Sequence, residues 1–461
     1  TGNHTEEPAP AMLAVWNPLS FLRSGIVEIG GAAAGQAGLI QEDNGEKHSA
    51  YGQISEDGTL LVPVWDAAPK GLKIYEAPAL LEKNGAVLSA GPEEFVLWNL
   101  QEQDGRIKGF DTAYYEIRLN ENGELTSVFD KKRERQVLSA GQAGNRLLAF
   151  EDRPEEYDAW NIDAYYEEKQ WVVEGLSECR VTENGPLRGC ISIRRTFLKS
   201  VIEQQIYFYR HTGRIDFKTR IDWKESQILL KAAFPVDVLT DKAVYDVQFG
   251  NVERPTHRNT SWEQAKFEVC AHKWADVSEA GYGVALMNDC KYGYDIRESV
   301  MRLTLLKSGI FPNPTADQEV HTFTYSLYPH DGDFRTGGVV QEAYDLNCPL
   351  QAVPVREKTA EPGEGRAWNG ENRSSAFCVA VDAENVLADT VKKAEDGDGI
   401  TLRLYETYGK RTRTRVTVPA SAGKQAEDCD CMEQPLGRLE LEDGAISLEF
   451  RPYEIKTIRI R

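Results

Sequence analysis

Along most of the chain, apolar and polar residues alternate with a period of two, which marks strands buried on one face. In "VIEQQIYFYR", Ile202, Gln204, Ile206 and Phe208 share one face. The turn "HTGR" follows, and Ile215, Phe217, Thr219, Ile221 and Trp223 resume the pattern, which predicts a long antiparallel hairpin. A second hairpin is predicted in "YYEIRLNENGELTSVFD", with Asn122-Gly123 supplying the positive φ angles of a tight turn. "RGCISIRRTF", "RVTVPA" and "AISLEF" read as further strands. Helical periodicity is scarce. Its best candidate is "AENVLADTVKKAED" (Ala383 to Asp396), which also reads as strand plus turn.

Two polar, glycine-bearing stretches suggest seams, "EQDGRIKG" (Glu102 to Gly109) and the connector "VREKTAEPGEGRAWNGENR" (Val355 to Arg373). They divide the chain into an N-terminal small β-sandwich (1–102), a large central antiparallel β-sandwich (103–354) and a C-terminal β domain (355–461). No internal repeat is visible. The expected class is all-β.

Composition narrows the partners. The 461 residues carry 73 acids against 53 bases, a formal charge of −20, so nucleic acid and anionic membrane surfaces would repel the chain. No apolar run of roughly 18 residues predicts a membrane helix. The polar start "TGNHTEEPAP" has neither a signal-peptide pattern nor an initiator methionine, and reads as the trimmed end of a longer chain. Eight cysteines are scattered, and only Cys429 and Cys431 lie close together, without the second pair of a zinc site. Reduced thiols are expected, and with them a cytoplasmic location.

Candidate chemistry concentrates in "VERPTHRNTSWEQAKFEVCAHKWADV" (Val252 to Val277). His257 and His272 stand fifteen residues apart and form no metal-ligand spacing with the other histidines, so no metal is assigned to the chain. No nucleophile elbow, phosphate loop or dinucleotide fingerprint appears, and "EDGDGI" (Glu395 to Ile400) reads as a turn rather than a calcium loop. Glycosidases need paired carboxylates, for which Asp158, Asp163, Glu263, Glu268, Asp276, Asp289 and Asp295 are candidates. Aromatics interleave with acids in "EYDAWNIDAYYEEKQW" (Glu156 to Trp171) and "NDCKYGYD" (Asn288 to Asp295), a mixture suited to sugar faces and hydroxyls. The plainer reading of Trp160, Tyr292 and Tyr294 is core or interface packing.

The run from Phe249 to Asp295 closely resembles the C-terminal half of glycoside hydrolase family 38 α-mannosidases of the cytosolic-type branch. "VWNPLSFLRSGIVEI", "YDAWNIDAYY", "HTFTYSLYPHDGDF", "AYDLNCPL", "LADTVKKAEDGDGITLRLYETYGKRTRTRV" and "FRPYEIKTIRIR" resemble family segments in the same order, so the likeness extends over nearly the whole chain. The resemblance implies a galactose-mutarotase-like super-sandwich flanked by smaller sandwiches. It implies retaining hydrolysis of α-mannosides or mannose-ending oligosaccharides with a divalent metal, usually zinc, held in an N-terminal catalytic domain that nothing here matches. No catalytic residue or cofactor is therefore expected in this chain, whose main partner would be that catalytic domain. Asp289, Lys291 and Tyr292 are expected to reach the sugar, with Arg254, His257, Asn259 and Trp262 lining or bracing the cleft. Two other readings stay open: a free-standing carbohydrate-binding β protein, and a structural or homo-oligomerising β scaffold.

Overall fold

The computed structural model describes residues 11–30, 39–43, 46–50, 52–77, 95–355 and 378–461. His4, all of "TGNHTEEPAP", and the connector from residue 356 onward lie outside them. The fold is all-β, as the alternation predicts, with antiparallel pairing throughout the described sheets. The chain forms two compact units: Ala90–Asn347, and the two outer pieces Thr1–Ser89 with Cys348–Arg461.

The inner unit is the large sandwich. Its nine-stranded sheet has Ile215–Asp222 and Val320–Asp331 side by side near the middle, and its six-stranded sheet is centred on Ile228–Pro235 and Val300–Ser308. A five-stranded sheet running from Trp98 to Gln136 shares the same core. The predicted hairpin pairs Ile206 with Phe217 and Ile202 with Ile221. Phe217 meets Phe234 across the sandwich at 5.5 Å and stacks at 5.1 Å on Tyr325, its neighbour on the adjacent strand. Each such fully buried ring contributes roughly 1.5–3 kcal/mol.

Gln204, the polar residue on that buried face, is satisfied there. It donates to Tyr325 at 2.7 Å and to Thr219 at 3.2 Å, and accepts from Arg195 at 2.7 Å. Arg195 in turn donates to the Asn122 carbonyl at 2.9 Å, which fixes the Asn120–Glu124 turn. In that turn only Gly123 takes a positive φ, 67°, so the connection is not the two-residue turn predicted from Asn122-Gly123. The strand register slips beside it, between Arg118 and Leu119.

The outer unit holds two smaller sandwiches. The N-terminal one pairs Ala11–Trp16 with Gln351–Val355, a strand from far along the chain. The C-terminal one packs a five-stranded sheet on a three-stranded sheet around Leu402, Leu404, Val416, Ile446 and Ile458. Within it, Ala383–Asp396 resolves as strand Val386–Lys393 and a turn, because Val386 and Ala388 face this core in alternation. The seam sought at 102/103 falls inside strand Trp98–Gln103, and that at 354/355 inside Gln351–Val355. The helix Val339–Asn347, which the alternation did not signal, packs Val339, Val340 and Ala343 inward. Among the described residues, no helix is long and apolar enough to cross a membrane.

Candidate functional site

Period two in Ile228–Pro235 sends Leu230, Ala232 and Phe234 into the sandwich core and Leu229 and Lys231 to the opposite face. That opposite face is roofed by residues 152–170 and 256–270, with Tyr166 and Phe267 packed over Phe150 and Leu229. Lys231 is fully buried under this roof, so its charge needs partners. Glu268 pairs with it closely, Asp295 lies 3.8 Å away, and its ammonium sits 5.1 Å over the Tyr166 ring. Asp295 also accepts from the Tyr166 hydroxyl at 2.7 Å and contacts Arg302 at 2.5 Å and Arg258 at 3.5 Å. Glu167 bridges Arg302 and Arg258. Burial alone would raise the Glu167 carboxyl, but the two arginines outweigh it and hold it below its ordinary value. The three acids and three cations of this cluster balance one another.

The roof and the loop after strand Val300–Ser308 carry exposed aromatics. Tyr157, Trp160 and Phe311 are 63%, 71% and 66% exposed. The loops that carry them are tied together by hydrogen bonds. The Asp158 carboxylate accepts from the amides of Ile310 at 2.5 Å and Phe311 at 3.2 Å, which ties residues 153–165 to the loop after strand Val300–Ser308. Asp163 accepts from the Glu155 amide at 2.8 Å and the Tyr165 hydroxyl at 2.7 Å. At the base of the two loops Asp152 pairs with Lys307. A Cβ at Gly309 would approach the Asp158 carboxylate to 3.1 Å, so a larger residue there would press the loops apart. Solvent-facing rings on these hydrogen-bonded loops, beside carboxylates and an asparagine, form a surface able to stack on sugar faces and bind hydroxyls.

Beside the charge cluster opens a cleft of about 50 Å³ lined by Tyr245, Arg254, His257, Lys266, Phe267 and Tyr294, with Arg258, Glu263 and Asp295 also at its walls. Strand Gly250–Pro255 brings in Arg254, whose guanidinium lies 4.6 Å over the Tyr245 ring. His257 faces Glu263 at 3.3 Å, and Glu263 closes a capping box with Thr260 at the start of the short helix Ser261–Gln264.

Of the residues singled out from the sequence, Arg254 and His257 share this cleft. Asn259 and Trp262 are exposed in the segment that flanks it, Trp262 at 76%. Asp289, Lys291 and Tyr292 sit instead on the turn between strands Tyr282–Asn288 and Gly293–Arg297 and do not line it. There Asp289 accepts from the Thr324 amide at 2.9 Å, Lys291 lies 4.5 Å over the Phe323 ring, and Tyr292 packs 5.2 Å from the His272 ring, half exposed. Sequence reasoning passed over Lys231, Glu167, Arg302 and Phe311. A lysine inside the apolar run "ILLKAAFP" was a usable signal, since such a charge must bring its own counter-charges. The trio Asp317, Glu319 and His321 brings ligand atoms within 4.8 Å, but the two acids are exposed and His321 Nε2 is engaged by the Asp317 carbonyl at 2.8 Å. It is a poor fit for a resident zinc.

Residues 110–315 match the glycosyl hydrolases family 38 C-terminal domain, and residues 385–458 the family 38 C-terminal beta sandwich domain. Human alpha-mannosidase 2C1 is 36% identical over 368 residues, 78% of this chain and 34% of its own length. Alpha-mannosidase G of Dictyostelium discoideum is 34% identical over 358 residues, 76% of this chain and 32% of its own. The chain thus spans about a third of the length of the curated relatives it matches. In fold it is similar to an alpha-mannosidase from Enterococcus faecalis V583, with a TM-score of 0.71 at 15% identity over 97% of this chain and 56% of that one.

Proposed function

Because the chain belongs to glycosyl hydrolase family 38 through its two C-terminal domains, we propose that it forms the non-catalytic wall of an α-mannosidase cleft. In this reading a catalytic domain supplies the carboxylates and the divalent metal, and the large sandwich supplies exposed aromatics on hydrogen-bonded loops that position a terminal α-mannose of a mannoside or oligosaccharide. The observation that carries the reading is the pair of hydrogen-bonded loops that hold Tyr157, Trp160 and Phe311 in solvent. Apolar rings so exposed cost free energy unless a partner covers them. Trp262 and Tyr292 offer further exposed rings, and Asp289 acts by fixing the turn that carries Lys291 and Tyr292. Arg254 and His257 line the cleft beside the roof, and Asn259 lies exposed in the segment that flanks it. A zinc ion belongs on the catalytic domain in this scheme. The eight free cysteines support a cytoplasmic setting, where thiols stay reduced.

The test has two arms. Purified alone, the 461-residue chain should not turn over an aryl α-mannoside, with or without added zinc or cobalt. Joined to a family 38 catalytic domain, it should support turnover, and Trp160→Ala or Phe311→Ala should lower kcat/KM about tenfold, the equivalent of one lost stacking contact near 1.4 kcal/mol. Turnover by the isolated chain, or unchanged kinetics in both variants, would sink the reading. Mannoside binding without any turnover in the joined protein would favour a carbohydrate-binding module instead.

A further inference from the structure

We propose that the cleft between strand Gly250–Pro255 and the Thr260-capped helix is a binding site for a compact oxyanion, a phosphate or carboxylate group, held by Arg254 and Lys266. Every other charged group at the cleft is already engaged. Asp295 is held by Arg302, Arg258 and the Tyr166 hydroxyl. Arg258 is shared between Asp295 and Glu167. Glu263 accepts from the Thr260 amide at 2.8 Å and faces His257. Arg254 and Lys266 remain, and among the described residues neither has a carboxylate partner.

Arg254 is also prepared for a ligand. Its guanidinium rests on the Tyr245 ring, and its Nη1 is shielded from solvent with no hydrogen-bond partner among the described residues. Burial pulls the group below its ordinary pKa, the mark of a desolvated cation with no counter-charge. An incoming oxyanion would supply that charge and accept charge-assisted hydrogen bonds from the guanidinium fork.

Size then selects the ligand. A water needs roughly 10–15 Å³ of such space, so the cleft's volume of about 50 Å³ holds about four water-sized positions. That suits a phosphate or carboxylate head and is too small for a whole pyranose ring. A larger phosphorylated molecule would place only its anionic head inside. The anion needs no catalytic domain to bind.

Titration calorimetry on the 461-residue chain at low salt tests this with inorganic phosphate, glucose 6-phosphate, malonate and uncharged glucose. We expect saturable one-to-one binding of at least one oxyanion, weakening as salt is added, and no heat from glucose. Equal affinities for phosphate and glucose 6-phosphate would assign the free ion as sufficient, and tighter binding of glucose 6-phosphate would assign a phosphorylated small molecule. Arg254→Gln should weaken binding at least about tenfold, the loss of a charge-assisted pair. The exposed Lys266→Gln should weaken it severalfold with an unchanged melting temperature, which guards against a misfolded Arg254 variant. Lys218→Gln, exposed on the nine-stranded sheet, should bind as the unaltered chain does. No saturable heat from any oxyanion, or equal affinity in all three variants, would overturn the assignment.

Discussion

A single charged side chain inside an apolar strand organises much of the candidate surface. Lys231 cannot reach water, so Glu268 and Asp295 come to it, and Arg302 and Arg258 come to balance the acids. Removing one member of such a set leaves uncompensated buried charge, which costs more than the set gained by forming. Lys231→Met should therefore lower stability by about 3–5 kcal/mol, read from the urea midpoint of the inner unit, and Asp295→Asn in the same background should recover part of the loss. A Lys231→Met chain as stable as its parent would mean that the cluster is solvated in solution.

At the scale of elements, the two aromatic loops hold each other. Neither has strand pairing of its own at its tip, and Asp158 stands in for it by accepting two amides from the opposing loop. Asp158→Ala leaves those amides without that acceptor, and Gly309→Ala presses a methyl on the same carboxylate. Each substitution should speed hydrogen exchange at Ile310 and Phe311 by about five- to thirtyfold, as expected for losing about 1–2 kcal/mol of local stability, with little change in global unfolding. Exchange unchanged in Asp158→Ala would show that the loops are fixed by packing instead.

For the whole molecule, the decisive pairing is that of Ala11–Trp16 with Gln351–Val355. It makes the outer unit from two distant pieces of chain and leaves the inner unit a continuous segment. A fragment covering 90–347 should therefore melt in one cooperative transition with a β-rich spectrum. A fragment ending at 347 should lose the N-terminal sandwich's separate transition, because an unpaired edge is exposed there. Independent melting of that sandwich in the truncated chain would contradict this division.

Most strands were legible because alternation in "VIEQQIYFYR" and its neighbours states directly which face is buried. The Asn120–Glu124 turn was legible in place but not in geometry, since Arg195 reaches it from another strand. The candidate surface was legible as composition: Arg254 and His257 stand in one crowded stretch and do meet in one cleft. Asp289, Lys291 and Tyr292 stand close to them in sequence yet sit on a different turn. Strand direction, which sequence proximity does not encode, separates them.

The all-β class, the hairpins and the family resemblance were readable from the residues alone, because period-two burial and long ordered motifs are local properties of the chain. Folding was needed to give Lys231 partners from three other segments, to let Asp158 tie two loops, and to leave Arg254 and Lys266 without carboxylates. Those facts depend on which distant side chains arrive at the same place, and electrostatic balance is settled by that proximity in space.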